Sequence, residues 1–529
     1  MSLRGVRRVA VVVMFATVGG CSGGSGSSGD PTTPEVTVPD TTTIAPSVAS
    51  TTSSGDVSDA TAVPGVRWQS KLLELKGWVT VPLDHDDPDG PTIEVPIYQR
   101  KASDPERRIG VLLVNPGGPG ASALWMAEDA RDYFSSELVD RFDIVAWNPR
   151  GTFRETAVSC LDAESFTDLV AGGDGSPDQP GEIELRDGRL GALVDECAAR
   201  NGEMLNHVST VDTAHDMAAI VEALGEEEVS YLGLSYGTAL GAAFATLYPD
   251  LVRAAVFDGA YHPYGDPVDV ATAYAAGYEQ RLEQLYATCD ADPECPIGDD
   301  TRTGFERVVA RADVEPLAGD PSLPPVNGEA LFYDIFATPA AYSDGPPTGL
   351  FEAIAAADAG DATALQQMFV DVVRLQTDGE ANVPINCIDW PYRGRSPLPP
   401  DLPELLAGVA PLMGTLFPPV PTECRTDTGD ICERWPVGPE LLPQPLDAAG
   451  AGPILLVAAT GDVVTPPGSA ELLAEELQDA RLLYVEDNQH ASYNKSPDPQ
   501  HVCATETVDA FLIDLERPPD GTTCAADGQ

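Results

Sequence analysis

Short apolar runs recur along this chain and alternate with segments of helical periodicity. Between two of the runs, Met217, Ile220, Val221 and Leu224 recur at i, i+3, i+4 and i+7, and Gly225 follows them, which predicts one helix face and its C-terminal end. The runs are short and uniformly apolar, as expected of parallel strands buried on both faces. The six runs are GVLLVN (110–115), FDIVAW (142–147), VSYLGL (229–234), RAAVFD (253–258), PILLVAA (453–459) and RLLYVE (481–486).

Residues 265–446 interrupt this rhythm. They contain alanine-rich helical stretches at 271–287 and 350–374 and then a proline-rich region at 396–444. The pattern predicts an α/β fold with a mostly parallel sheet, helices on both faces and a helical insertion late in the sheet. The core is expected at 64–264 and 447–529. An insertion at that point would lie over the carboxyl ends of the strands and act as a lid.

The N-terminus carries an export signal. Three arginines precede a short apolar run at 9–18, and Val18-Gly19-Gly20 leads directly into Cys21. The run is about half of the ~20 residues that a membrane-spanning helix needs. The segment resembles a bacterial lipobox, which predicts a signal peptide at 1–20, a lipid-carrying Cys21 and a lipoprotein, with simple secretion as the alternative. Residues 21–63 contain no aromatic residue, lysine or arginine and predict a flexible Ser/Thr/Pro tether.

The net charge of the chain limits which binding partners are expected. Among 529 residues, 84 acidic side chains oppose 30 basic ones, a net charge of −54. Such a field repels phosphate backbones, so nucleic acid is excluded as an expected partner. Contact with a membrane is expected through the N-terminal lipid alone, and the sequence does not indicate an oligomeric state.

Export also favours disulfides among the ten cysteines. Proximity along the chain predicts pairs Cys160–Cys197, Cys289–Cys295 and Cys503–Cys524. With Cys21 set aside for the lipid, the remaining Cys387, Cys424 and Cys432 would share one bond, which leaves one thiol free or paired between chains. None of the spacings has zinc-finger form, and we expect neither a metal nor an organic cofactor.

The strongest chemical signal is Gly233-Leu234-Ser235-Tyr236-Gly237, which stands between an apolar run and a helix of small residues. This is the G-x-S-x-G elbow in a strand-turn-helix context, where a sharp turn lifts the serine hydroxyl out of the sheet. The helix N-terminus also faces a developing oxyanion. Ser235 is the predicted nucleophile.

A glycine-rich loop, NPGGPG at 115–120, follows an earlier strand. A backbone N–H of Gly117 or Gly118 is expected to join that of Tyr236 in an oxyanion hole, since glycine lets the backbone approach a ligand closely. A phosphate-binding loop is disfavoured because the P-loop Lys-Ser/Thr is missing.

A serine nucleophile requires a base, and His490 is the best placed of the six histidines because it follows the last apolar run. We expect structural or surface roles for His85, His207, His215 and His262. The orienting acid is predicted to be Asp462, which follows the run PILLVAA. Asp258 is the runner-up, and Asp487 is disfavoured because it lies only three residues from His490.

These motifs together resemble the secreted actinobacterial tripeptidyl aminopeptidases and the related mycobacterial carboxylesterases and proteases, an α/β-hydrolase group close to proline iminopeptidases. The resemblance spans about Trp68 to Cys524. Besides the elbow and NPGGPG it includes Asn148-Pro149-Arg150-Gly151, Asn386-Cys387, CERWP at 432–436, GDVVTP at 461–466 and the His490 loop. It implies a triad of Ser235, Asp462 and His490, a lid, and a TAP-like C-terminal segment.

One departure concerns the substrate pocket. Relatives usually have Asp-Pro-Arg-Gly where this chain has Asn148 in the first position, so the reaction type transfers more securely than the substrate.

We therefore expect an exported serine hydrolase that cleaves short peptides from a free N-terminus through an acyl-enzyme. Asp389 is the predicted carboxylate that receives the substrate ammonium, and its alternative is a structural acid beside a disulfide. A carboxylesterase acting on lipid or small esters is the second hypothesis, and an inactive surface-binding lipoprotein is the third.

Overall fold

The structure is a computed structural model that describes residues 65–526, apart from eleven gaps. The predicted signal peptide, Cys21 and the tether lie outside the described residues, as does Cys424. The gaps are residues 72–73, 153–155, 162–179, 264–265, 299, 337–347, 378–380, 390–401, 417–430, 441–443 and 495–496.

The described strands form one ten-stranded sheet in the order β1-β2-β3-β5-β4-β6-β7-β8-β9-β10. From β5 to β10 in that order all neighbours are parallel. The six predicted runs are six of these strands, with ends within one residue. The strands are β1 Val66–Lys71, β2 Glu74–Pro82, β3 Thr92–Arg100, β4 Gly110–Asn115, β5 Phe142–Trp147, β6 Val229–Leu234, β7 Val252–Asp258, β8 Ile454–Ala459, β9 Ala480–Val485 and β10 Thr522–Cys524.

Burial on both faces explains why these strands are uniformly apolar. In β4, Val111 and Leu113 point into one core cluster, while Leu112 and Val114 point into the cluster on the other side of the sheet. Alternate residues of a strand face opposite sides, so a strand between two helical layers needs apolar residues at every position. The α/β-hydrolase fold with helices on both faces is confirmed.

Sequence inspection missed the antiparallel edge, β1 to β3, and the short strand β10. In β2 the half-buried Trp78 and the exposed Thr80 alternate with the buried Val79 and Val81. A strand with one solvent-exposed face contains polar residues at about every second position and gives no continuous apolar run.

The helices on the two faces of the sheet and in the insertion are short and numerous. They are α1 Leu124–Glu128, α2 Ala130–Tyr133, α3 Ser136–Arg141, α4 Pro180–Asn201, α5 Thr210–Leu224, α6 Tyr236–Leu247, α7 Pro267–Ala291, α8 Thr301–Val314, α9 Gly328–Phe336, α10 Thr348–Asp358, α11 Thr363–Thr377, α12 Asn382–Asp389, α13 Leu402–Val409, α14 Pro411–Leu416, α15 Pro467–Glu476 and α16 Pro499–Asp514.

The predicted helix ending at Gly225 is the C-terminal half of α5. It begins earlier than its apolar periodicity indicates because Ser209 and Asp212 form a reciprocal capping box. Gly225 ends it in the left-handed conformation at φ 74°, where a side chain would be strained.

The segment between β7 and β8 is helical and has a hydrophobic core of its own. Buried residues of α7 to α11, such as Leu285, Phe305, Leu331 and Phe369, form a cluster separate from the two that flank the sheet. The predicted helical stretch 350–374 is in fact two helices, because the chain turns at Gly360 with φ 102°.

Arg150 ties the parallel strands to α5. Its fully buried guanidinium bonds both carboxylate oxygens of Asp216, at 2.8 and 2.7 Å, and lies 3.3 Å from Asp212. It also donates to the carbonyls of Pro82 and Leu83 at the end of β2. A buried charge is tolerated when it is paired and saturated in this way.

Four disulfides occur within the described residues. The predicted pairs Cys160–Cys197, Cys289–Cys295 and Cys503–Cys524 are confirmed. The fourth, Cys387–Cys432, joins α12 to the segment after the lid helices. It identifies which two of the three leftover cysteines share a bond.

No helix in the described part of the chain is both long and apolar enough to cross a bilayer.

Candidate active site

Ser235 lies at the turn between β6 and α6, with φ 55° and ψ −129°. A non-glycine residue seldom adopts this conformation, and such strain is typical of a residue held for function. Its N–H donates to the carbonyl of Asp258 at 2.9 Å, and its carbonyl accepts from Thr238. The surrounding hydrogen bonds therefore hold the turn in its strained form.

The two glycines of the elbow are required by close backbone packing. A Cβ atom at Gly233 would lie 2.3 Å from the carbonyl oxygen of Gly237. One at Gly237 would lie 2.7 Å from the carbonyl oxygen of Asn115. The turn can be this sharp only where neither position has a side chain.

The NPGGPG loop packs against the elbow. A Cβ atom at Gly117 would lie 2.8 Å from the backbone nitrogen of Tyr236, so the two backbones are nearly in contact. The Gly117 N–H donates to Asn115 Oδ1 at 2.8 Å. That bond occupies the Gly117 donor and leaves Gly118 as the stronger candidate for an oxyanion donor beside Tyr236.

Asp462 and His490 meet at the ends of β8 and β9. His490 Nδ1 lies 2.8 Å from Asp462 Oδ2, and both side chains are almost fully buried. The other carboxylate oxygen of Asp462 accepts backbone N–H bonds from Val464 and Thr465. These bonds fix the carboxylate and aim one oxygen at the imidazole.

The loop after β7 brings the histidine towards the elbow. A Cβ atom at Gly259 would lie 3.3 Å from His490 Cε1. The residue before it, Asp258, holds the Ser235 N–H through its carbonyl. Ser235 is thus hydrogen-bonded to Asp258, and the imidazole of His490 lies on the side-chain side of the adjacent Gly259.

Asp258, the runner-up acid, bonds the backbone of the loop that carries His490. Its carboxylate accepts the backbone N–H groups of Ser492 and Tyr493 at 2.7–3.0 Å. Burial raises its pKa to about 6, although those N–H bonds and His490 act in the opposite direction. Asp258 therefore anchors the chain just after His490, while Asp462 faces the imidazole.

Asp487 pairs with a different histidine. Its Oδ2 lies 3.1 Å from Nε2 of the fully buried His501, and its Oδ1 accepts the N–H groups of Asn488 and Gln489. These bonds shape the turn that carries His490.

The remaining histidines lie in structural surroundings. His85 contacts Asp216 at 2.9 Å, His215 bonds the Tyr248 hydroxyl, and His262 lies 3.4 Å from Glu476. The His207 carbonyl accepts from Arg150.

Burial and charge act in opposite directions on His490. Burial lowers the pKa of its imidazole, but the carboxylates of Asp462 and Asp258 outweigh that effect and raise the pKa above its ordinary value. A raised pKa favours the imidazolium that forms when a histidine takes a proton from a nucleophile.

Thr465 is a site residue that sequence reasoning missed. Its hydroxyl donates to Asp462 Oδ2 at 2.8 Å and lies 3.2 Å from His490 Nδ1. The only signal was its place three residues after Asp462, where a threonine can close a turn around a carboxylate.

Helix α7 of the insertion packs against the loop that follows Asp462. A Cβ atom at Gly277 would lie 3.1 Å from Pro466 Cγ, so α7 and the loop after Asp462 touch closely. Tyr274 and Tyr278 of this helix are half-buried, and burial followed by the Asp462 charge raises the pKa of the Tyr278 hydroxyl. Aromatic side chains therefore border the site on the lid side.

Asp389, the last residue of α12, bonds the first residue of α5. Its Oδ1 accepts the Thr210 N–H at 2.9 Å and its Oδ2 the Thr210 hydroxyl at 2.5 Å. Burial raises its pKa to about 7, and the charges of Glu440 and Asp212 also raise it, against the effect of the Thr210 bonds.

Among the described residues, no group of three or more His, Cys, Asp or Glu side chains is arranged to hold a metal ion.

Family models match two parts of the chain. Residues 110–344 match the family described as alpha/beta hydrolase fold, and residues 420–524 match the family described as TAP-like protein. The second match covers β8, β9 and the Asp462 and His490 loops.

Characterised relatives match most of the chain. Serine protease Hip1 of Mycobacterium tuberculosis is 30% identical over 476 residues, which cover 85% of this chain and 87% of the relative. Tripeptidyl aminopeptidase of Streptomyces lividans is 28% identical over 85% of this chain and 83% of its own length. Carboxylesterase B of Mycobacterium tuberculosis is 28% identical over 84% and 85%.

Replacing Asp462 with asparagine tests which acid orients the histidine. An amide cannot stabilise the imidazolium and favours the wrong tautomer, so we expect a loss in kcat near the ~10⁴-fold seen for the same change in a serine protease. Hydrolysis requires neutral His490 and rises as pH rises through its pKa. Because Asp462 helps to raise that pKa, the acid limb of the residual activity should move to lower pH.

Asp487→Asn is the matched control. It alters a carboxylate that bonds His501 rather than His490, so its loss should be much smaller and its acid limb should stay in place. Steady-state rates between pH 4 and 9 (roughly the range in which carboxylates and histidine titrate) measure both quantities. A larger loss in Asp487→Asn than in Asp462→Asn would reject the assignment.

Proposed function

The chain belongs to the α/β-hydrolase family with a TAP-like C-terminal segment, and from this premise we propose that it is a peptidase releasing short peptides from free N-termini. It is a serine hydrolase, as its relatives and its fold indicate. The observation that supports its acyl-transfer chemistry is the buried pair of Asp462 and His490 beside the strained elbow at Ser235, and the preference for a free N-terminus is supported by the tripeptidyl aminopeptidase relative and by the buried carboxylate of Asp389.

In the proposed mechanism Ser235 attacks the scissile carbonyl and His490 takes the hydroxyl proton. The negative charge of Asp462, 2.8 Å from Nδ1, stabilises the imidazolium. The imidazolium then gives the proton to the leaving amine. In the second half, His490 activates the water that releases the acyl group from Ser235.

The oxyanion would lie between the elbow and the NPGGPG loop. We assign its donors to the N–H groups of Gly118 and Tyr236, since Gly117 donates to Asn115. Tyr236 begins α6, so the positive end of the helix dipole adds to this field.

Asp389 is the proposed receiver of the substrate ammonium. Both of its oxygens accept from Thr210, but a carboxylate oxygen has two lone pairs and can accept a second donor. Its pKa of about 7, raised by burial and by neighbouring acids, means that the ionised form is costly without a cation. An arriving ammonium would therefore stabilise the carboxylate as well as itself.

A carboxylesterase acting on lipid or small esters is the second candidate. The relative named carboxylesterase B favours it, and the same triad would serve it. The two functions differ in whether the substrate must present a positive charge to the lid.

We further propose that the enzyme works outside the cytoplasm, anchored by a lipid at Cys21. The support is the arginine-flanked apolar run and the small residues that lead into Cys21. Four disulfides among the described residues are also typical of an exported protein.

Ser235→Ala tests the nucleophile. The variant should fold like the wild type, because it loses one hydroxyl at a buried turn, and it should lose hydrolysis and covalent labelling by a fluorophosphonate probe. Intact-mass spectrometry after labelling and a urea unfolding curve check both points. Hydrolysis near the wild-type rate in the folded variant would reject the mechanism.

Acetylation of the substrate tests the aminopeptidase proposal. Capping the ammonium leaves its buried carboxylate partner unpaired, which costs about 2 to 5 kcal/mol, or roughly 30-fold to several-thousand-fold in kcat/KM. Free-amine peptides should exceed their acetylated copies by that ratio. Asp389→Asn should narrow the ratio.

The outcomes separate the candidates. Equal rates on free and capped peptides would favour the esterase or an endopeptidase. A wide ratio that persists in Asp389→Asn would reject only the role of Asp389.

The lipid anchor is tested by the mass of the mature N-terminus. We expect acyl groups on Cys21, and we expect Cys21→Ser to leave the membrane fraction or to fail in maturation, because the lipid is the proposed attachment. A mature wild-type protein without an acyl group would refute the anchor and favour simple secretion.

A further inference from the structure

One helix of the insertion is hydrogen-bonded to the NPGGPG loop directly and to the Tyr236 side chain through Thr210. This helix is α12, and its two ends carry polar side chains that reach the core. Asn382 at the first end bonds the NPGGPG loop, and Asp389 at the other end bonds the network that holds Tyr236. The contacts lie on two different chain segments that meet at the elbow.

The Asn382 end acts on the loop next to Gly118. Asn382 Nδ2 donates to the carbonyl of Pro119 at 3.2 Å. Asn386, one turn along the helix, donates to Asn382 Oδ1 at 2.9 Å and thereby orients the amide. A shift of α12 would pull on the residue that directly follows Gly118.

The Asp389 end acts through Thr210. The carboxylate of Asp389 accepts both the N–H and the hydroxyl of Thr210. The Thr210 oxygen is in turn hydrogen-bonded to the Tyr236 hydroxyl. The Tyr236 side chain is buried at 8% exposure, so this chain of bonds fixes its ring. The backbone N–H of the same residue is the proposed oxyanion donor.

Helix α12 is itself held firmly in place. Cys387 forms a disulfide with Cys432, and the Ile388 carbonyl accepts the N–H of Glu440 at 3.0 Å. The apolar side chains of Ile385 and Ile388 are buried in the same core cluster as the sheet. The helix is thus joined to the core on several sides.

We propose that α12 positions the oxyanion hole, with Asn382 setting the Gly118 side and Asp389 setting the Tyr236 side through Thr210. This proposal rests on the serine-hydrolase mechanism above and adds which helix holds the oxyanion donors in position. Oxyanion donors act only within about 2.7–3.1 Å of the developing charge. The hole is therefore complete only when α12 is seated on the core.

Two variants test the two ends. Thr210→Val keeps the shape of the side chain but removes the hydroxyl between Asp389 and Tyr236. Asn382→Asp keeps the shape but replaces the donor to Pro119 with an acceptor. Thr210→Ser is the matched control that restores the hydroxyl. Gln367→Ala on α11 is a control for a lost amide elsewhere in the insertion, since Gln367 is exposed and donates to its helix neighbour Asp371.

The readout is a pair of small esters that differ in one atom. The first is an acetate ester, and the second is its thiono analogue, in which sulfur replaces the carbonyl oxygen. Sulfur is a weak hydrogen-bond acceptor, so an intact oxyanion hole speeds the oxygen ester far more than the sulfur ester. The ratio of the two kcat values reports the hole itself.

We expect Thr210→Val and Asn382→Asp each to lower kcat for the oxygen ester about tenfold, a fraction of the ~10²-fold or more lost when an oxyanion donor is deleted. KM should stay within about twofold, because the interaction is made in the transition state. The thiono ester should be affected little, so the ratio falls. Thr210→Ser and Gln367→Ala should keep the wild-type ratio.

An unchanged ratio in both variants, or a fall in both esters alike, would overturn the proposal. If Thr210→Val fails to fold in urea titrations, Tyr236→Phe removes the other hydroxyl of the chain and must lower the ratio instead. Failure of the serine mechanism is recognised separately, because Ser235→Ala would then retain hydrolysis of the oxygen ester.

Discussion

The structure depends on one close approach between backbones. At the elbow, the chain of β6 turns back against its own helix and against the NPGGPG loop with no room for a Cβ atom at Gly233, Gly237 or Gly117. This contact forces Ser235 into its strained conformation and brings the Tyr236 backbone next to the loop. Once β4 and β6 are neighbours in a parallel sheet, their carboxyl ends meet and the loop and the elbow must share this space.

The same arrangement explains how much the sequence could predict. Strands buried on both faces must be apolar throughout, so they could be located from the sequence. The residues that follow β6, β8 and β9 were then the expected candidates for the site. The wet-faced edge strands lack that signature. The partner of Cys387 and the network of Thr210 were also out of reach, because they join segments far apart in the chain and no local pattern encodes such a contact.

Carboxylates at the site are distinguished by their surroundings rather than by their sequence context. Asp258 is the last residue of β7, and Asp462 and Asp487 come shortly after β8 and β9. One bonds backbone N–H groups beside the histidine, one faces the imidazole, and one bonds a second histidine. The chain order predicted Asp462, but only the structure shows which contacts each of the three carboxylates makes.

The separate hydrophobic core of the lid has an evolutionary consequence. Among the described residues, the cluster around Phe305 and Phe369 shares no member with the clusters that flank the sheet, so substitutions in its α8 to α11 part need not disturb the catalytic framework. The surface of the insertion can therefore change to suit new substrates while the catalytic residues stay the same. Helices α7 and α12 are exceptions, since α7 packs on Pro466 beside Asp462 and changes in α12 reach the elbow through Thr210. Lineages that diverge in substrate should vary most in α8 to α11 and least in α12.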